Sequence, residues 1–372
     1  MKNKFLTKTL LVLLIGLIFS TSFAVGAADV PNLKVGYVFT NHQTPLMVAA
    51  KKGKAVEADG VYLKEIVSRK KYALIKKDRT LANLELIEST SGSETMTMMA
   101  QGHLDLGFAS SAANITAIDK GINIKMLCPV HTEGIGLVIA KNSSVNNWDE
   151  FKALLENSQE PIKVGYHSPT SAPLILFEAA IKENGISYTS NPHQQDADIL
   201  LVDLKGTKNL IPALNSKQVD AWVGPSPYPS LAVTENIGKI ALQMKNLPPK
   251  GKWYDFPCCV LSADDKVIKS NEEVVQSLVS VINSAANYSD KNKAEAAKIT
   301  AKWTGVPEEA AQMSSIKYTA KVNKTWIDNV GLVYNSLQSS NRLNGSFETK
   351  SYSEIKEILY DFTFINNVTK TN

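Results

Sequence analysis

A five-residue pattern occurs twice in the chain, and it constrains the fold more than any other feature. Residues 33–37 read LKVGY and residues 162–166 read IKVGY. Each copy has the β-branched and aromatic residues typical of a strand, and a polar loop with a histidine follows it. Each loop leads to a proline, Pro45 or Pro173, near the start of a helical pattern. Because strand, loop and helix recur together, we predict two related α/β units.

A second pair of segments supports the duplication. Glu94–Gln101 is predicted as a helix with Ser93 as its N-cap, and a strand follows over His103–Phe108. Later in the chain, Pro212–Lys217 is predicted as a helix and Gln218–Val223 as a strand. Each strand contains one aspartate and runs into a loop of small and polar residues. The two units therefore share a second helix–strand pair.

The first unit is longer than the second. Lys34 and Asp105 are 71 residues apart, whereas Lys163 and Asp220 are 57 apart. The extra length is expected in residues 60–82. This region has a basic stretch that is predicted to form the solvated face of a helix: Arg69, Lys70, Lys71, Lys76, Lys77 and Arg79.

Strands that alternate with helices predict parallel α/β units. In such sheets ligands bind beyond the carboxyl ends of the strands, where the polar loops lie. Helix N-termini there offer unpaired N–H groups and the positive end of the helix dipole. The loops of both units are therefore expected to face one cleft that suits an anion.

The N-terminus has the features of a secretory signal peptide. Lys2, Lys4 and Lys8 precede an apolar run over residues 10–19, and small residues follow. We assign residues 1–27 to this signal peptide, although an uncleaved anchor is the alternative. The chain is thus expected to be exported, to the periplasm or the cell surface. Without the segment the net charge of +4 falls to about +1, so nucleic-acid binding is not expected.

At these motifs the chain resembles the solute-binding proteins of ABC importers, in the nitrate, sulfonate and taurine branch. The matching stretches are LKVGYVFTNHQTPLMVAAKKG, SGSETMTMMAQGHLDLGFASSAA, IKMLCPVHTEGIGLVIAK, VGYHSPTSAP and QVDAWVGPSPYPSLA. The resemblance implies a periplasmic-binding-protein type II-like fold, with two α/β lobes joined by two crossing strands and a ligand cleft between them. Lobe one would comprise residues 29–131 and 258–372, and lobe two residues 132–257. The helical tail after residue 263 would pack on lobe one.

The duplicated loops supply the candidate ligand-binding residues. They are Thr40, Asn41, His42, Gln43, Ser91, Ser93, Ser110, Ser111, His167, Ser168, Thr170, Ser171, Pro225 and Tyr228. Capping alone would explain the serines, and a histidine in a loop can simply face water. No arginine lies in these loops, so an anion would be held by N–H groups, hydroxyls and histidines rather than by a guanidinium fork.

The crossing strands that the resemblance implies contain the candidate hinge residues. They are Cys128, His131, Thr132, Cys258 and Cys259. Because the two strands would be neighbours, Cys128 is expected near one of the paired cysteines. A disulfide or three buried thiols both remain open. A copper or zinc site with His131 is disfavoured because the spacing fits no standard zinc pattern, so neither a metal nor a cofactor is expected.

The resemblance implies a non-catalytic receptor that delivers a small solute, such as a sulfonate or nitrate, to an ABC permease in the membrane. It is expected to act as a monomer and to close its lobes around the solute. The alternatives are a periplasmic ligand sensor and an enzyme on the same fold, of the kind that acts in thiamine-pyrimidine or menaquinone synthesis. The chain contains none of the GxSxG, HExxH, GxGxxG or GxxxxGK[ST] patterns that would favour an enzyme.

Overall fold

The structure is a computed structural model that describes residues 30–370. The predicted signal peptide, residues 1–27, lies outside this range. Between residues 30 and 370, none of the helices combines the length and the hydrophobicity that a membrane span requires.

The first of two large sheets has seven strands. They are β1 (Asn32–Val38), β2 (Val61–Val67), β3 (Lys71–Lys76), β4 (Arg79–Ser89), β5 (Leu106–Ser110), β6 (Ile124–Pro129) and β14 (Cys259–Asp264). Their order is β2-β3-β4-β1-β5-β14-β6. The central strand β1 pairs in parallel with β4 and β5, and β14 runs antiparallel between β5 and β6.

The second sheet has six strands. They are β8 (Ile135–Ala140), β9 (Ile162–Tyr166), β10 (Tyr188–Thr189), β11 (Ile199–Asp203), β12 (Ala221–Pro225) and β13 (Gly238–Gln243). Their order is β10-β11-β9-β12-β8-β13, with β9 parallel to β11 and β12, and with β8 antiparallel to β12. A small third sheet joins β7 (His131–Glu133) to β15 (Ile316–Tyr318).

Helices cover both large sheets. They are α1 (Thr44–Lys52), α2 (Gly92–Ala100), α3 (Ser111–Asp119), α4 (Trp148–Glu156), α5 (Ala172–Glu183), α6 (Leu210–Asn215), α7 (Tyr228–Thr234), α8 (Asp265–Ser270), α9 (Glu272–Lys291), α10 (Lys293–Thr304), α11 (Glu308–Gln312), α12 (Lys324–Ser339), α13 (Tyr352–Leu359) and α14 (Thr363–Lys370). The result is a mixed α/β fold with two lobes. The chain passes from the first sheet to the second between β6 and β8, and it returns between β13 and β14. The division at residues 131/132 and 257/258 stays a prediction.

The duplication that the sequence predicts is present in the strand order. The first sheet contains the run β4-β1-β5-β14, and the second contains β11-β9-β12-β8. In each run three parallel strands are followed by one antiparallel strand, and the KVGY strand is second. The antiparallel strand of each sheet borders a segment that crosses between the sheets. The repeated pentapeptide therefore marks the same central strand in both lobes.

One aspartate in each lobe fixes the start of that central strand. The Asp105 carboxylate accepts a hydrogen bond of 2.7 Å from the Lys34 N–H, and the Asp105 N–H donates to the Lys34 carbonyl. Asp220 and Lys163 make the same two contacts, with a carboxylate distance of 2.9 Å. These reciprocal bonds tie the strand that follows the short helix to the first strand of its unit.

Replacing Asp220 with alanine is expected to lower the free energy of unfolding by about 1 kcal/mol, because an exposed hydrogen bond from a backbone N–H to a charged carboxylate is lost. Urea denaturation followed by circular dichroism would measure the change. The matched control is Asp196→Ala, at an exposed position in the loop before β11. Equal effects of the two substitutions would show that the Asp220 contact does not hold the strand.

The prediction of a helical face in residues 60–82 is wrong, because strands β2, β3 and β4 form an antiparallel meander there. Residues Tyr72–Ile75 of β3 are all buried, which a solvated helix would not allow. Lys77 and Asp78 both have positive φ, 47° and 65°, at the turn between β3 and β4. Two successive residues with positive φ form the tight turn that matches the twist of a hairpin.

Two further expectations about helices need correction. The N-cap of α2 is Ser91, whose hydroxyl accepts from the Glu94 N–H, and Ser93 lies inside the first turn. The tail does pack α9, α10 and α14 against lobe-one elements, but α12 packs against both α3 and α5. Since α5 belongs to the second lobe, the tail contacts both lobes rather than lobe one alone.

A largely buried ion pair accompanies this bridging helix. Arg342, just after α12, donates two hydrogen bonds to the carboxylate of Glu178 on α5. The bond between Arg342 Nη2 and Glu178 Oε1 is 2.8 Å long. The Glu178 side chain is 4% exposed and that of Arg342 is 20% exposed. Burial raises the pKa of Glu178, and Arg342 opposes that rise. The pair therefore joins the tail to the second lobe.

Arg342→Met is expected to lower the free energy of unfolding by about 3 kcal/mol at pH 7, because the Glu178 charge is left buried and unpaired. The loss should shrink at pH 5. Without Arg342, the pKa of Glu178 in the folded protein rises further above its value in the unfolded chain. As the pH falls, the folded variant therefore binds a proton before the unfolded chain does, and this proton binding stabilises the folded state. Urea denaturation at both pH values would measure this.

The control is Arg79→Met, which breaks the exposed pair between Arg79 and Glu273. Its expected loss is below about 1 kcal/mol, because solvent screens exposed ion pairs. A pH-independent loss of the same size in both variants would contradict the assignment of a buried charge to Glu178.

Candidate functional site

The polar loops of both lobes meet at one cavity of about 40 Å³ between the sheets. Its lining consists of Val38, Thr40, His42, Gln43, Gly92, Ser93, Ser110, His167, Ser168, Thr170, Ser171, Ala172, Pro173, Thr207, Pro225, Cys258 and Cys259. The cavity thus lies at the carboxyl ends of β1, β5, β9 and β12, where parallel sheets bind ligands. Its volume corresponds to only a few water molecules.

Four helices begin at the cavity. The helices α1, α2, α3 and α5 start at or beside the lining residues Gln43, Gly92, Ser110 and Ala172. Local sequence explains all four starts. The helices α1 and α5 have a proline in the first turn, and the hydroxyls of Ser91 and Ser110 cap α2 and α3. The N-terminal ends of these helices make the surroundings of the cavity electropositive without a charged side chain.

Hydroxyl groups from the two lobes bond to each other across the cavity. Ser93 Oγ lies 2.8 Å from Ser168 Oγ and 2.6 Å from Thr170 Oγ1. The Ser110 hydroxyl donates to the Thr170 carbonyl at 3.0 Å. Because Ser93 and Ser110 come from the first lobe and residues 168–170 from the second, the structure has its lobes closed.

Most of the predicted ligand-binding residues line this cavity, and the exceptions have other roles. Ser91 caps α2, and the Ser111 hydroxyl donates to the Pro257 carbonyl at 3.2 Å. Asn41 is buried with its side-chain oxygen unpartnered, and the Tyr228 hydroxyl bonds Thr207, which does line the cavity. Ligand binding by any of these residues stays a prediction. Sequence reasoning missed Thr207, which follows β11, a strand outside the repeated motifs.

His167 is the histidine of the second lobe. It is buried, and its Nδ1 has no hydrogen-bond partner. Burial, with a smaller contribution from His42, lowers its pKa to about 4. The ring is therefore neutral at pH 7, and it can accept or donate one hydrogen bond at the cavity.

The histidine of the first lobe belongs to a compact cluster that the sequence did not predict. His42 lies with His131, Cys258 and Cys259, and all four side chains are buried. His42 Nδ1 is 3.3 Å from Cys258 Sγ and 3.9 Å from Cys259 Sγ, and the two sulfurs are 3.9 Å apart. The rings of His42 and His131 have centroids 4.1 Å apart.

The two segments that cross between the lobes assemble this cluster. The Val130 N–H donates to the Cys259 carbonyl at 2.9 Å, and Thr132 pairs with Pro257 in an antiparallel bridge. His131 therefore lies beside Cys258 and Cys259, although more than a hundred residues separate them. The prediction that the crossing segments are neighbours is confirmed, whereas a hinge role for these residues stays a prediction.

The two neighbouring thiols differ in acidity. Burial, together with the adjacent Cys259, raises the pKa of Cys258. The adjacent Cys258, followed by the nearby histidines, lowers the pKa of Cys259 well below its usual range. Burial lowers the pKa of His131, and the neighbouring His42 adds to the effect. The cluster thus combines the neutral imidazole of His131 with a thiol, Cys259, that ionises readily.

Cys128 is not part of this cluster. It pairs with Leu261 on the neighbouring strand β14, and its expected closeness to Cys258 or Cys259 stays a prediction. Its side chain, however, packs in the apolar core of the first sheet, and burial raises its pKa to about 12. All three cysteines are free thiols.

The three arginines of the chain are engaged away from the cavity. Arg69 donates to the Trp303 carbonyl, Arg79 pairs with Glu273, and Arg342 pairs with Glu178. Among the described residues that line the cavity there is no lysine, arginine, aspartate or glutamate. Recognition at this site therefore depends on N–H groups, hydroxyls, imidazoles and thiols.

Fold and site together define a two-lobed protein with the periplasmic-binding-protein fold. The zinc-bound ligand-binding component of an ABC-type import system from Staphylococcus aureus has this fold, with a TM-score of 0.70 at 15% identity, over 91% of this chain and 99% of that one. The periplasmic nitrate-binding protein NrtA from Synechocystis PCC 6803 gives a TM-score of 0.70 at 14% identity, over 92% of this chain and 89% of that one.

The chain belongs to the NMT1-like family, whose model matches residues 26–305. An uncharacterized protein of Methanocaldococcus jannaschii is 30% identical over 116 residues, which cover 31% of this chain and 80% of that protein. The resemblance to the nitrate and sulfonate branch of solute-binding proteins is confirmed at the level of family and fold.

Ser93→Ala is expected to shift the lobes toward an open form. It removes two hydrogen bonds across the cavity, each worth about 1 kcal/mol, so the ratio of open to closed molecules should rise roughly 10- to 30-fold. Small-angle X-ray scattering of the protein without solute would detect an increased radius of gyration. Ser144→Ala, at an exposed position before α4, is the control. Unchanged scattering from the Ser93 variant would show that these bonds do not hold the lobes together.

Proposed function

We propose that this protein is the extracytoplasmic solute-binding receptor of an ABC importer. It would close its two lobes on a small solute and present the closed form to a membrane permease. Membership of the NMT1-like family and the shared fold support this class of protein. The observation that carries the proposal is the closed cavity, which polar loops from both lobes line in equivalent positions.

The size and chemistry of the cavity support a small solute of anionic character. About 40 Å³ leaves room for a compact molecule in this closed form. Four helix N-termini and the hydroxyls of Ser93, Ser110 and Thr170 offer hydrogen bonds of the kind that an oxyanion accepts. Without a guanidinium or ammonium group, the affinity would come from these dipoles. Nitrate, which NrtA is described as binding, and small sulfonates are therefore the first solutes to test.

His167 would supply the contact from the second lobe. Its ring is neutral at neutral pH, the residue lines the cavity, and its Nδ1 makes no hydrogen bond within the protein. A bound solute would satisfy that nitrogen and would replace the hydroxyl contacts between the lobes. Binding would then exchange bonds within the protein for bonds to solute, and the lobes would stay closed.

The test uses the mature chain, residues 28–372, purified and examined by native mass spectrometry and by thermal unfolding. Nitrate, nitrite, bicarbonate, taurine and methanesulfonate would be added separately. A bound solute at 100 times its dissociation constant should stabilise the folded state by about 2.7 kcal/mol. The solute should be recovered chemically unchanged, which separates a receptor from an enzyme on the same fold.

His167→Ala should fold like the parent and weaken binding of the stabilising solute by roughly tenfold or more, because one hydrogen bond to a buried ligand is lost. His193→Ala, at an exposed position, is the matched control and should bind as the parent does. If no solute of the panel stabilises the parent, or if the solute is consumed, the receptor proposal fails. Equal binding by the His167 variant would place the solute elsewhere.

A further inference from the structure

The cluster of His42, His131, Cys258 and Cys259 has the ligand atoms of a metal site. Each residue offers one nitrogen or sulfur, and these four atoms all lie within 4.8 Å of one another. They come from the loop before α1, from β7 and from the start of β14, so the tertiary fold alone brings them together. We propose that these four residues bind one zinc ion, which reverses the sequence-based expectation of no metal.

The distances among His42, Cys258 and Cys259 agree with three corners of a tetrahedron around zinc. Zn–S bonds of about 2.3 Å and Zn–N bonds of about 2.0–2.1 Å require sulfur–sulfur edges of about 3.8 Å and sulfur–nitrogen edges of about 3.6 Å. The observed edge between the Cys258 and Cys259 sulfurs is 3.9 Å. The edges from His42 Nδ1 to the same sulfurs are 3.3 and 3.9 Å. The edges to the His131 nitrogen are at most 4.8 Å, so zinc binding would draw this ring toward the other ligands by up to about 1 Å.

The second ring nitrogen of each histidine is already oriented for metal binding. His42 Nε2 lies 3.1 Å from the Gly134 carbonyl, to which it donates, so the lone pair of Nδ1 faces the sulfurs. His131 Nδ1 lies 3.4 Å from the Thr132 carbonyl, which leaves its Nε2 as the ligand atom. Zinc-binding histidines commonly donate their other N–H to a carbonyl in this way, which fixes the tautomer.

An unsatisfied atom gives independent support. His131 is fully buried, and its Nε2 has no hydrogen-bond partner. Leaving a buried polar atom without a partner is unfavourable, and coordination of a metal ion is one way to satisfy such an atom. An ion held also by Cys258 and Cys259 would satisfy this nitrogen.

Charge balance favours a divalent ion. Metal binding requires both thiols to be deprotonated, with any displaced proton going to solvent, and two thiolates with two neutral imidazoles carry a charge of −2. Zinc makes the buried site neutral, whereas Cu(I) would leave one negative charge there. Two sulfur and two nitrogen ligands in a tetrahedron are also the typical set for zinc.

The site lies at the wall of the solute cavity. His42, Cys258 and Cys259 are lining residues, and His131 lies behind them on the crossing segment. Zinc would therefore link the loop before α1 to both crossing segments beside the cavity. The proposal does not depend on which solute the cavity binds.

The experiment uses the mature chain, reduced and freed of metal with a chelator. Zinc would be titrated against a chromophoric competitor, with an expected stoichiometry of one ion per chain. Cobalt(II) would replace zinc as a spectroscopic probe. A thiolate-to-cobalt charge-transfer band and intense d–d bands would indicate tetrahedral coordination by sulfur.

Loss of a ligand should weaken zinc binding by roughly 100-fold or more. Substitution of a residue that only contacts a ligand typically costs about 10- to 100-fold. The ligand variants to test are Cys258→Ser, Cys259→Ser and His131→Gln. Cys128→Ala removes the third thiol from a separate core and should bind zinc as the parent does. X-ray absorption of the zinc-loaded parent, which needs no variant to fold, should give two sulfurs at about 2.3 Å and two nitrogens at about 2.0–2.1 Å.

Several results would overturn the zinc site. They are a reduced parent that binds no zinc, an absorption spectrum without sulfur, ligand variants that bind like the parent, and a chain that binds Cu(I) with its thiols but not zinc. None of these results bears on solute binding by the His167 side of the cavity. A failure of the zinc site and a failure of the receptor proposal can therefore be told apart.

Discussion

The pairing of the two crossing segments determines where the site can be. Residues 130–132 and 257–259 run antiparallel and are hydrogen-bonded, so the chain makes both of its passages between the sheets at one junction. That junction lies beside the carboxyl ends of the central parallel strands, since β14 continues one crossing segment into the first sheet and β8 continues the other into the second. The loops that carry Ser93, His167 and Thr170 meet because the junction brings these strand ends face to face. A different register of this pair would separate the cysteines from His131 and would misalign the cavity.

Both lobes contain the same strand, loop and helix unit, but the histidine of each loop has different surroundings. The strand, the aspartate contact and the helix opened by proline are shared, and the histidine follows the strand in both lobes. In the first lobe, however, the crossing segment places a thiol within hydrogen-bond distance of His42, whereas the Nδ1 of His167 in the second lobe makes no hydrogen bond. The two lobes thus share a duplicated scaffold. The second crossing segment adds thiols on the first-lobe side of the cavity, so the two sides of the cavity differ in chemistry.

Much of this arrangement was predictable, because it depends on local patterns. The KVGY strands, the prolines at the starts of α1 and α5, and the position of the loops at the strand ends all follow from residues close together in the chain. The hairpin formed by β3 and β4 was mistaken for a helix because its basic residues, which lie on exposed edges and turns, dominate the pattern. Positive φ at Lys77 and Asp78 has no sequence marker as strong as glycine.

The cluster of histidines and cysteines could not be predicted from spacing, since its members come from three distant segments. His42 and His131 lie 89 residues apart in the chain, and Cys258 follows much later. Only the pairing of the crossing segments, together with the return of the loop before α1, makes them neighbours. The adjacent cysteines were the one available sign, and adjacency alone does not indicate a metal. The bridging position of α12 was missed for the same reason, because it depends on packing between lobes.

The hydroxyl contacts between Ser93, Ser168 and Thr170 have a consequence for the surface of the closed protein. The same hydroxyls join the two lobes and line the cavity, so they cannot keep all of these bonds and also bind a solute. A solute in the proposed site would displace some of them. The loops that carry these residues would then differ between two closed forms with the same overall outline, and a partner protein could distinguish the two forms by that difference.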